Sequence, residues 1–121
     1  MTDERKIGFY KVEEFQEAVE TLSKAILEDN PGYSYIYGVP KSGVILAVAL
    51  SIATGIPLTD EFDPEINILV VDDICNTGAT WEKYRPCDFV CLHANSITKA
   101  NPTYVAHFGI RDRIVYWWNV K

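Results

Sequence analysis

An apolar run that ends in two aspartates constrains the fold of this 121-residue chain more than any other feature. Residues 66–71 are apolar except for Asn67. Such a run is typical of a central strand in a parallel sheet, because that strand is covered on both faces. Asp72 and Asp73 follow at its carboxyl end, the edge where open α/β sheets bind ligands. The run therefore predicts an α/β fold with a site at this edge.

The rest of the chain is predicted to alternate between helices and strands. Apolar residues recur every three or four positions in the first quarter of the sequence, which indicates an amphipathic helix. Helices are predicted at 12–28, 44–53 and 77–84, and further strands at 33–37, 89–92, 104–108 and 114–118. This order favours a small, mostly parallel sheet flanked by helices, in one domain spanning residues 1–121.

Charge and composition exclude several classes of function. Eleven basic and seventeen acidic residues give a net charge of -6, which repels polyanions, so we expect no nucleic-acid partner. No apolar run approaches the roughly 18 residues of a membrane span, and no secretory signal is visible, so we expect a cytoplasmic protein without membrane contact. Cys75, Cys87 and Cys91 lack zinc-site spacing and are interpreted as reduced thiols.

The segment after the central strand combines carboxylates with a candidate phosphate cradle. Asp72 and Asp73 can accept hydrogen bonds from vicinal hydroxyls. Four residues later, a glycine, two hydroxyls and the first amides of a helix can hold a phosphate, and these residues are Thr77, Gly78, Ala79 and Thr80. The two chemistries together favour a sugar phosphate as ligand. The alternative is a strand end whose acids only cap the next helix.

A second loop, residues 37–43, offers a cation beside a backbone that can approach an anion closely. Lys41 supplies the charge, and few bulky Cβ atoms surround the amides of Ser42 and Gly43. No Gly-Lys-Ser/Thr follows Gly38 at the distance that a Walker A loop requires. The alternative is a solvated turn with a chance lysine.

Both segments resemble those of type I phosphoribosyltransferases. The strand, acidic pair and Thr-Gly-x-Thr are similar to the family's phosphoribosyl-pyrophosphate (PRPP) signature, and residues 37–43 resemble its pyrophosphate loop. The resemblance implies a type I phosphoribosyltransferase-like core, Mg²⁺ as cofactor near Asp72 and Asp73 through ligand or water, and a cis Pro40–Lys41 peptide. It also implies PRPP contacts from Pro40, Ser42, Gly43 and residues 77–80, and catalytic roles for Lys41, Asp72, Asp73 and Asn76.

A weaker resemblance concerns the base. Residues 113–119 are similar to the purine-flanking segment of the xanthine-guanine branch. The alternative is an aromatic edge strand or core strand without a ligand role. The base-binding residues that the resemblance implies are Ile74, Asn95, Arg113, Ile114, Trp118 and Asn119.

The sequence departs from the family mainly at the residues that would contact the base. Asn76 stands where purine-salvage members carry an aspartate, and Asn95 stands where a lysine reads the exocyclic oxygen. Arg113 replaces a stacking aromatic residue, and Asn119 replaces an acid. We therefore expect a remodelled base pocket, with hypoxanthine, guanine and xanthine as poor substrates.

Members of the family carry a long loop that covers the site. The segment between Gly55 and Ile66 of this chain is too short for such a loop and has space for at most one brief strand. Another segment or a neighbouring subunit of a homo-oligomer would have to cover the site. The sequence thus predicts a Mg²⁺-dependent phosphoribosyltransferase that acts on small molecules, PRPP and a purine-like base. The alternative is a non-catalytic nucleotide- or PRPP-binding regulatory module. A phosphorelay receiver does not fit, because its paired acids would lie near the N-terminus.

Overall fold

The computed structural model describes residues 7–29, 31–110 and 113–119. Helices and strands alternate along most of this part of the chain, as the sequence predicts. In order, the elements are β1 (Ile7–Tyr10), α1 (Val12–Asp29), β2 (Tyr35–Gly38), α2 (Gly43–Thr54), β3 (Leu58–Thr59), β4 (Ile68–Cys75), α3 (Ala79–Lys83), β5 (Asp88–Asn95), β6 (Tyr104–Ile110) and β7 (Arg113–Tyr116). No helix in these ranges is long and apolar enough to cross a membrane.

The main sheet has the strand order β3-β2-β4-β5-β6, and every pair in it is parallel. β4 lies at its centre, as predicted, and residues 68–71 are almost fully buried. Leu69 and Val71 pack in the core that the helices α1 and α2 cover, while Ile68 and Val70 pack on the opposite face with Phe89. The predicted α/β class with a mostly parallel sheet is confirmed.

β4 continues four residues beyond its predicted end. Asp72 pairs with Cys91 and Ile74 pairs with His93, so the acidic pair belongs to the strand. The neighbouring strand β2 stops at Gly38, opposite Val71. The extension is possible because β5 is long and supplies hydrogen-bond partners on one side. The carboxylates therefore still lie past the end of β2, at the carboxyl edge where the ligand site is expected.

Two further differences concern short elements. α3 covers only Ala79–Lys83, so Thr77 and Gly78 lie in the loop before it. β1 was not predicted, and it forms a separate two-stranded parallel sheet with β7, with Tyr10 opposite Tyr116. β1 has only four residues and two of its side chains are exposed, so its local pattern carries little strand signal.

Candidate functional site

Two adjoining cavities lie at the carboxyl end of β4. The first, here called the loop cavity, has a volume of about 250 Å³ and is lined by residues 72–81. The second, here called the β7 cavity, has a volume of about 260 Å³ and is lined by Asp73, Ile74, Asn76, Arg113, Ile114, Tyr116 and Asn119. Asp73, Ile74 and Asn76 border both. A single ligand can therefore extend from one cavity into the other past the acidic strand end.

Backbone amides hold both carboxylates of the acidic pair. The amide of Asp73 donates to Asp72 Oδ1 at 2.8 Å, and the amide of Ile74 donates to Asp73 Oδ1 at 2.8 Å. Burial raises the pKa of Asp72 well above its usual range, and the hydrogen-bonding and negative charge of Asp73 raise it further. Without ligand, Asp72 therefore retains its proton at pH values where an ordinary aspartate is ionised.

Replacing Asp72 with asparagine is expected to stabilise the ligand-free protein, increasingly so as the pH rises above about 4. Above that pH the unfolded chain carries an ionised Asp72, whereas the folded chain keeps the proton. Folding must then take up a proton, at a free-energy cost that rises with pH, and a neutral asparagine carries no such cost. We expect a gain of about 1–3 kcal/mol in the free energy of unfolding at pH 8, and a smaller gain at pH 5. Urea unfolding at both pH values measures it, with Asp60→Asn on an exposed connector as control. A gain independent of pH would contradict the prediction.

The loop after β2 is held directly against the acidic strand. The amide of Val39 donates to the carbonyl of Val71 at 2.8 Å, and the amide of Gly43 donates to the carbonyl of Val39 at 3.0 Å. A Cβ on Gly43 would lie 2.5 Å from the Val71 oxygen and 3.0 Å from Asp72 Cα. The Pro40–Lys41 peptide is cis, which confirms the prediction. The exposed Lys41 thus lies on a turn that packs beside Asp72.

Substituting alanine for Gly43 is expected to lower the free energy of unfolding by about 1–3 kcal/mol, because the added methyl group overlaps the backbone of β4. Urea unfolding measures the effect. Val44→Ala removes an exposed apolar side chain at the next position and serves as the control. Equal stability of the two variants would refute the close approach.

Backbone hydrogen bonds hold the predicted phosphate cradle, residues 77–80, in place. The amide of Ala79 donates to Thr77 Oγ1 at 3.3 Å, and the amide of Lys99 donates to the carbonyl of Thr77 at 3.1 Å. Gly78 has φ +96°, and a Cβ on it would lie 2.7 Å from the amide nitrogen of Ala100. Residues 77–80, the four that the sequence singled out, all line the loop cavity. The supporting segment 99–100 has no local sequence signal, because it acts through its backbone.

Tyr116 links the acidic pair to the small sheet, and sequence reasoning did not identify it. Its hydroxyl lies 3.2 Å from the carbonyl oxygen of Asp73 and 2.9 Å from His93 Nδ1. A tyrosine hydroxyl has one proton, so if Tyr116 donates to Asp73, then His93 Nδ1 donates to Tyr116. Burial, with His107 as a smaller cause, lowers the pKa of His93 to about 4. The imidazole is therefore neutral near neutral pH.

The same arrangement is repeated on β1. The Tyr10 hydroxyl donates to the carbonyl of Glu14 at 3.1 Å and lies 3.0 Å from His107 Nε2. His107 in turn stacks on His93 with ring centroids 4.7 Å apart. Buried polar and aromatic contacts thus hold the β1–β7 sheet in place at the edge of the β7 cavity.

The predicted base-binding residues separate into two groups. Ile74, Arg113, Ile114 and Asn119 line the β7 cavity together with Asn76. Asn95 lies behind Asn76 and donates from Nδ2 to Asn76 Oδ1 at 3.3 Å. Trp118 does not line either cavity. It stacks on Tyr116 with ring centroids 4.4 Å apart, and its base-binding role stays a prediction.

The connector between α2 and β4 packs away from both cavities. It contains the brief strand β3, and Phe62 contacts Tyr84 with ring centroids 4.8 Å apart, beside Tyr37. Among the described residues, none from 55–67 lines either cavity. The segment where the resembling family carries its covering loop therefore contributes no cover here.

Comparison with known proteins identifies the fold. No family model and no curated protein matches the chain. A purine phosphoribosyltransferase from Pyrococcus horikoshii superposes with a TM-score of 0.79 at 24% identity, covering 93% of each chain. The Helicobacter pylori xanthine-guanine-hypoxanthine phosphoribosyltransferase gives 0.79 at 17% identity, over 96% of this chain and 94% of that one. This chain has a type I phosphoribosyltransferase fold.

The phosphoribosyltransferase fold extends over nearly the whole chain. A hypothetical protein from Neisseria gonorrhoeae with bound ppGpp also superposes, with a TM-score of 0.78 at 17% identity, over 98% of this chain and 92% of that one. The predicted resemblance is thereby confirmed at the level of fold. At these identities the specific ligand depends on the site residues themselves.

Proposed function

We propose that the protein binds PRPP and transfers its 5-phosphoribosyl group to a purine-like nitrogenous base, as in nucleotide salvage. One observation carries this proposal: the loop cavity and the β7 cavity share Asp73, Ile74 and Asn76. A ribose at this shared border would place its 5-phosphate in the loop cavity and its C1′ towards the β7 cavity.

Positioning and electrostatics would supply most of the catalysis. The amides and hydroxyls of residues 77–80 hold the 5-phosphate. Asp72 and Asp73 accept hydrogen bonds from the ribose hydroxyls and stabilise the positive charge that develops on the sugar. A ring nitrogen of the base bonds to C1′ while the C1′–O bond breaks, and pyrophosphate leaves with the electron pair. Because Asn76 cannot accept a proton, the proton of the ring N–H passes to water or to the departing pyrophosphate. Lys41 neutralises part of the leaving group's charge.

The acidic pair fits a Mg²⁺ ion that is held mainly by the substrate. Protein Mg²⁺ sites commonly use one or two carboxylates together with substrate phosphates and water. Within the described ranges, no group of three or more His, Cys, Asp or Glu residues could hold a metal alone. Asp72 and Asp73 would therefore hold Mg²⁺ through the ligand or water. When bound, the ion would neutralise charge on the pyrophosphate.

The alternative is a regulatory module that binds a nucleotide or PRPP in the same cavities without turnover. Asn76 cannot act as a general base, and the connector at 55–67 leaves the cavities uncovered. The Neisseria gonorrhoeae protein of the same fold holds ppGpp, a nucleotide that carries pyrophosphate groups. A transferase would need another segment to cover the two cavities, and we propose that a neighbouring copy in a homo-oligomer supplies it.

The deciding experiment incubates the protein with Mg²⁺, PRPP and a panel of purine and pyrimidine bases while pyrophosphate release is followed. Base-dependent release establishes the transferase and excludes the regulatory reading. PRPP or nucleotide binding by calorimetry without release with any base favours the regulatory module. If neither PRPP nor a nucleotide binds, both readings are wrong.

A further inference from the structure

One peptide group near the end of β4 is hydrogen-bonded at both of its ends. It joins Asp73 to Ile74, so its carbonyl belongs to Asp73 and its N–H belongs to Ile74. The N–H donates to Asp73 Oδ1 at 2.8 Å, and the carbonyl accepts from the Tyr116 hydroxyl at 3.2 Å. A peptide group is planar, so the bond at its carbonyl also sets the direction of its N–H. Tyr116 is thereby linked through the backbone to the Asp73 carboxylate.

The acidic pair has a neighbouring strand on one side. β5 pairs with β4 as far as Cys75, whereas β2 pairs with it only as far as Val71. Tyr116 lies on β7 of the small sheet, and its hydroxyl supplies a partner to the Asp73 carbonyl beyond the end of β2. The position of the small sheet is therefore coupled to the strand end that carries the carboxylates.

His93 determines which way the Tyr116 hydroxyl donates. Burial lowers the pKa of His93 to about 4, so the ring is neutral near neutral pH, and its Nδ1 lies 2.9 Å from the hydroxyl. The Asp73 carbonyl can only accept, so it takes the single hydroxyl proton, and His93 Nδ1–H donates to the tyrosine oxygen. His93 is 3% exposed and lines neither cavity. Its effect on the site must therefore pass through Tyr116.

A second relay has the same chemistry but ends on a different carbonyl. The Tyr10 hydroxyl donates to the carbonyl of Glu14 at 3.1 Å and lies 3.0 Å from His107 Nε2. Each relay joins the small sheet to the main sheet, and Tyr10 and Tyr116 are both 4% exposed. Glu14 lies on α1 and lines neither of the two cavities. Tyr10 is therefore a matched control for Tyr116.

We propose that Tyr116, supported by His93, is a positioning residue that holds the Asp73 carboxylate in the orientation that binds the ribose of PRPP. This inference rests on the proposed function. Without the hydroxyl, the peptide group after Asp73 loses the bond that fixes its plane, and the Ile74 N–H no longer holds Oδ1 in one direction. The carboxylate must then be ordered when the ligand binds, which lowers affinity.

The test compares Tyr116→Phe with Tyr10→Phe. Each variant removes one buried hydroxyl and keeps the ring, so both should lower the free energy of unfolding to a similar extent. We expect Tyr116→Phe to weaken PRPP binding about 3- to 10-fold in the presence of Mg²⁺, and Tyr10→Phe to leave it unchanged. Urea unfolding and calorimetry measure the two quantities. PRPP carries no base, so its affinity is independent of any contact between Tyr116 and a base.

Two outcomes of this comparison overturn the inference and leave the proposed function intact. One is equal PRPP affinity in the wild type and Tyr116→Phe. The other is an equal loss of affinity in both tyrosine variants, which would assign the effect to docking of the small sheet. If the wild type binds no PRPP, the proposed function fails and this inference fails with it.

Two variants of His93 test the relay at a residue outside the cavities. Asparagine carries Nδ2 where the imidazole carries Nδ1, so His93→Asn keeps the donor to Tyr116, whereas His93→Leu removes it. We expect His93→Leu to weaken PRPP binding and His93→Asn to retain most of the wild-type affinity. Equal losses in both variants overturn the role of His93. If His93→Leu does not fold, the two tyrosine variants decide the question.

A double-mutant cycle tests whether Tyr116 acts through the carboxylate. In the Asp73→Asn background, we expect Tyr116→Phe to reduce PRPP affinity by a smaller factor than in the wild type, because the charge that it orients is gone. The same factor in both backgrounds would mean that Tyr116 acts without Asp73, and it would overturn the inference.

Discussion

Replacing Asp73 with asparagine is expected to weaken PRPP binding about 10- to 150-fold in the presence of Mg²⁺, because a hydrogen bond to a charged group contributes about 1.5–3 kcal/mol. Asparagine keeps the Oδ1 acceptor for the amide of Ile74, so the strand should stay intact. Asp72→Asn should also weaken binding, but by less near neutral pH, because Asp72 keeps its proton in the ligand-free protein and must release it before it can accept a hydrogen bond as a carboxylate. Calorimetry with PRPP and Mg²⁺ measures both.

The two carboxylate variants can be separated from simple folding damage. Asp72→Asn is expected to stabilise the ligand-free protein while it weakens binding, and these opposite signs identify a residue that serves the ligand at the expense of the fold. Asp60→Asn removes an exposed carboxylate of the connector and should change neither quantity. Unchanged PRPP affinity in both Asp72→Asn and Asp73→Asn would contradict the assignment of the site.

Replacing Asn76 with aspartate is expected to raise the rate of transfer to hypoxanthine, guanine or xanthine by about 10²–10⁴-fold, the usual contribution of a general base. Asn95 Nδ2 already donates to residue 76 and would hold one oxygen of the new carboxylate. The other oxygen would remain available to accept a proton from the base. Pyrophosphate release across the purine panel measures the change, with low rates expected for the wild type.

Gln16→Glu adds one negative charge at an exposed position of α1 and serves as the control. We expect it to leave the rate of transfer unchanged. The remodelled-pocket interpretation is wrong if the wild type itself transfers to these purines with an efficiency above about 10⁴ M⁻¹s⁻¹, which is ordinary for an enzyme. It is also wrong if Asn76→Asp binds PRPP normally and shows no gain with any purine.

The sequence alone was sufficient for the core of the fold and for the position of the two loops that we propose bind the ligand. Residues 66–71 predict a central strand because a strand covered on both faces needs apolar side chains throughout. Gly43 and Gly78 are informative because close backbone approach and positive φ restrict a position to glycine. These requirements act within a few residues, so they leave a local pattern.

Only the tertiary structure decided where β4 ends. An apolar strand followed by two acids is compatible with a stop at Val71 or at Cys75. Pairing with His93 and its neighbours on β5 extends the strand, while the early end of β2 leaves the acidic pair at the sheet's edge. The length of a strand depends on its partners, which lie far away in the sequence.

Whether the asparagine side chains of the site donate or accept hydrogen bonds also depended on the fold. The sequence places asparagines at 76, 95 and 119, but an asparagine can donate or accept, so the residue type leaves both readings open. The fold brings Asn95 to Asn76 across 19 residues and the Tyr116 hydroxyl to the Asp73 carbonyl across 43. A side-chain amide takes its orientation from the obligate donor that it meets, and that meeting exists only in the folded chain.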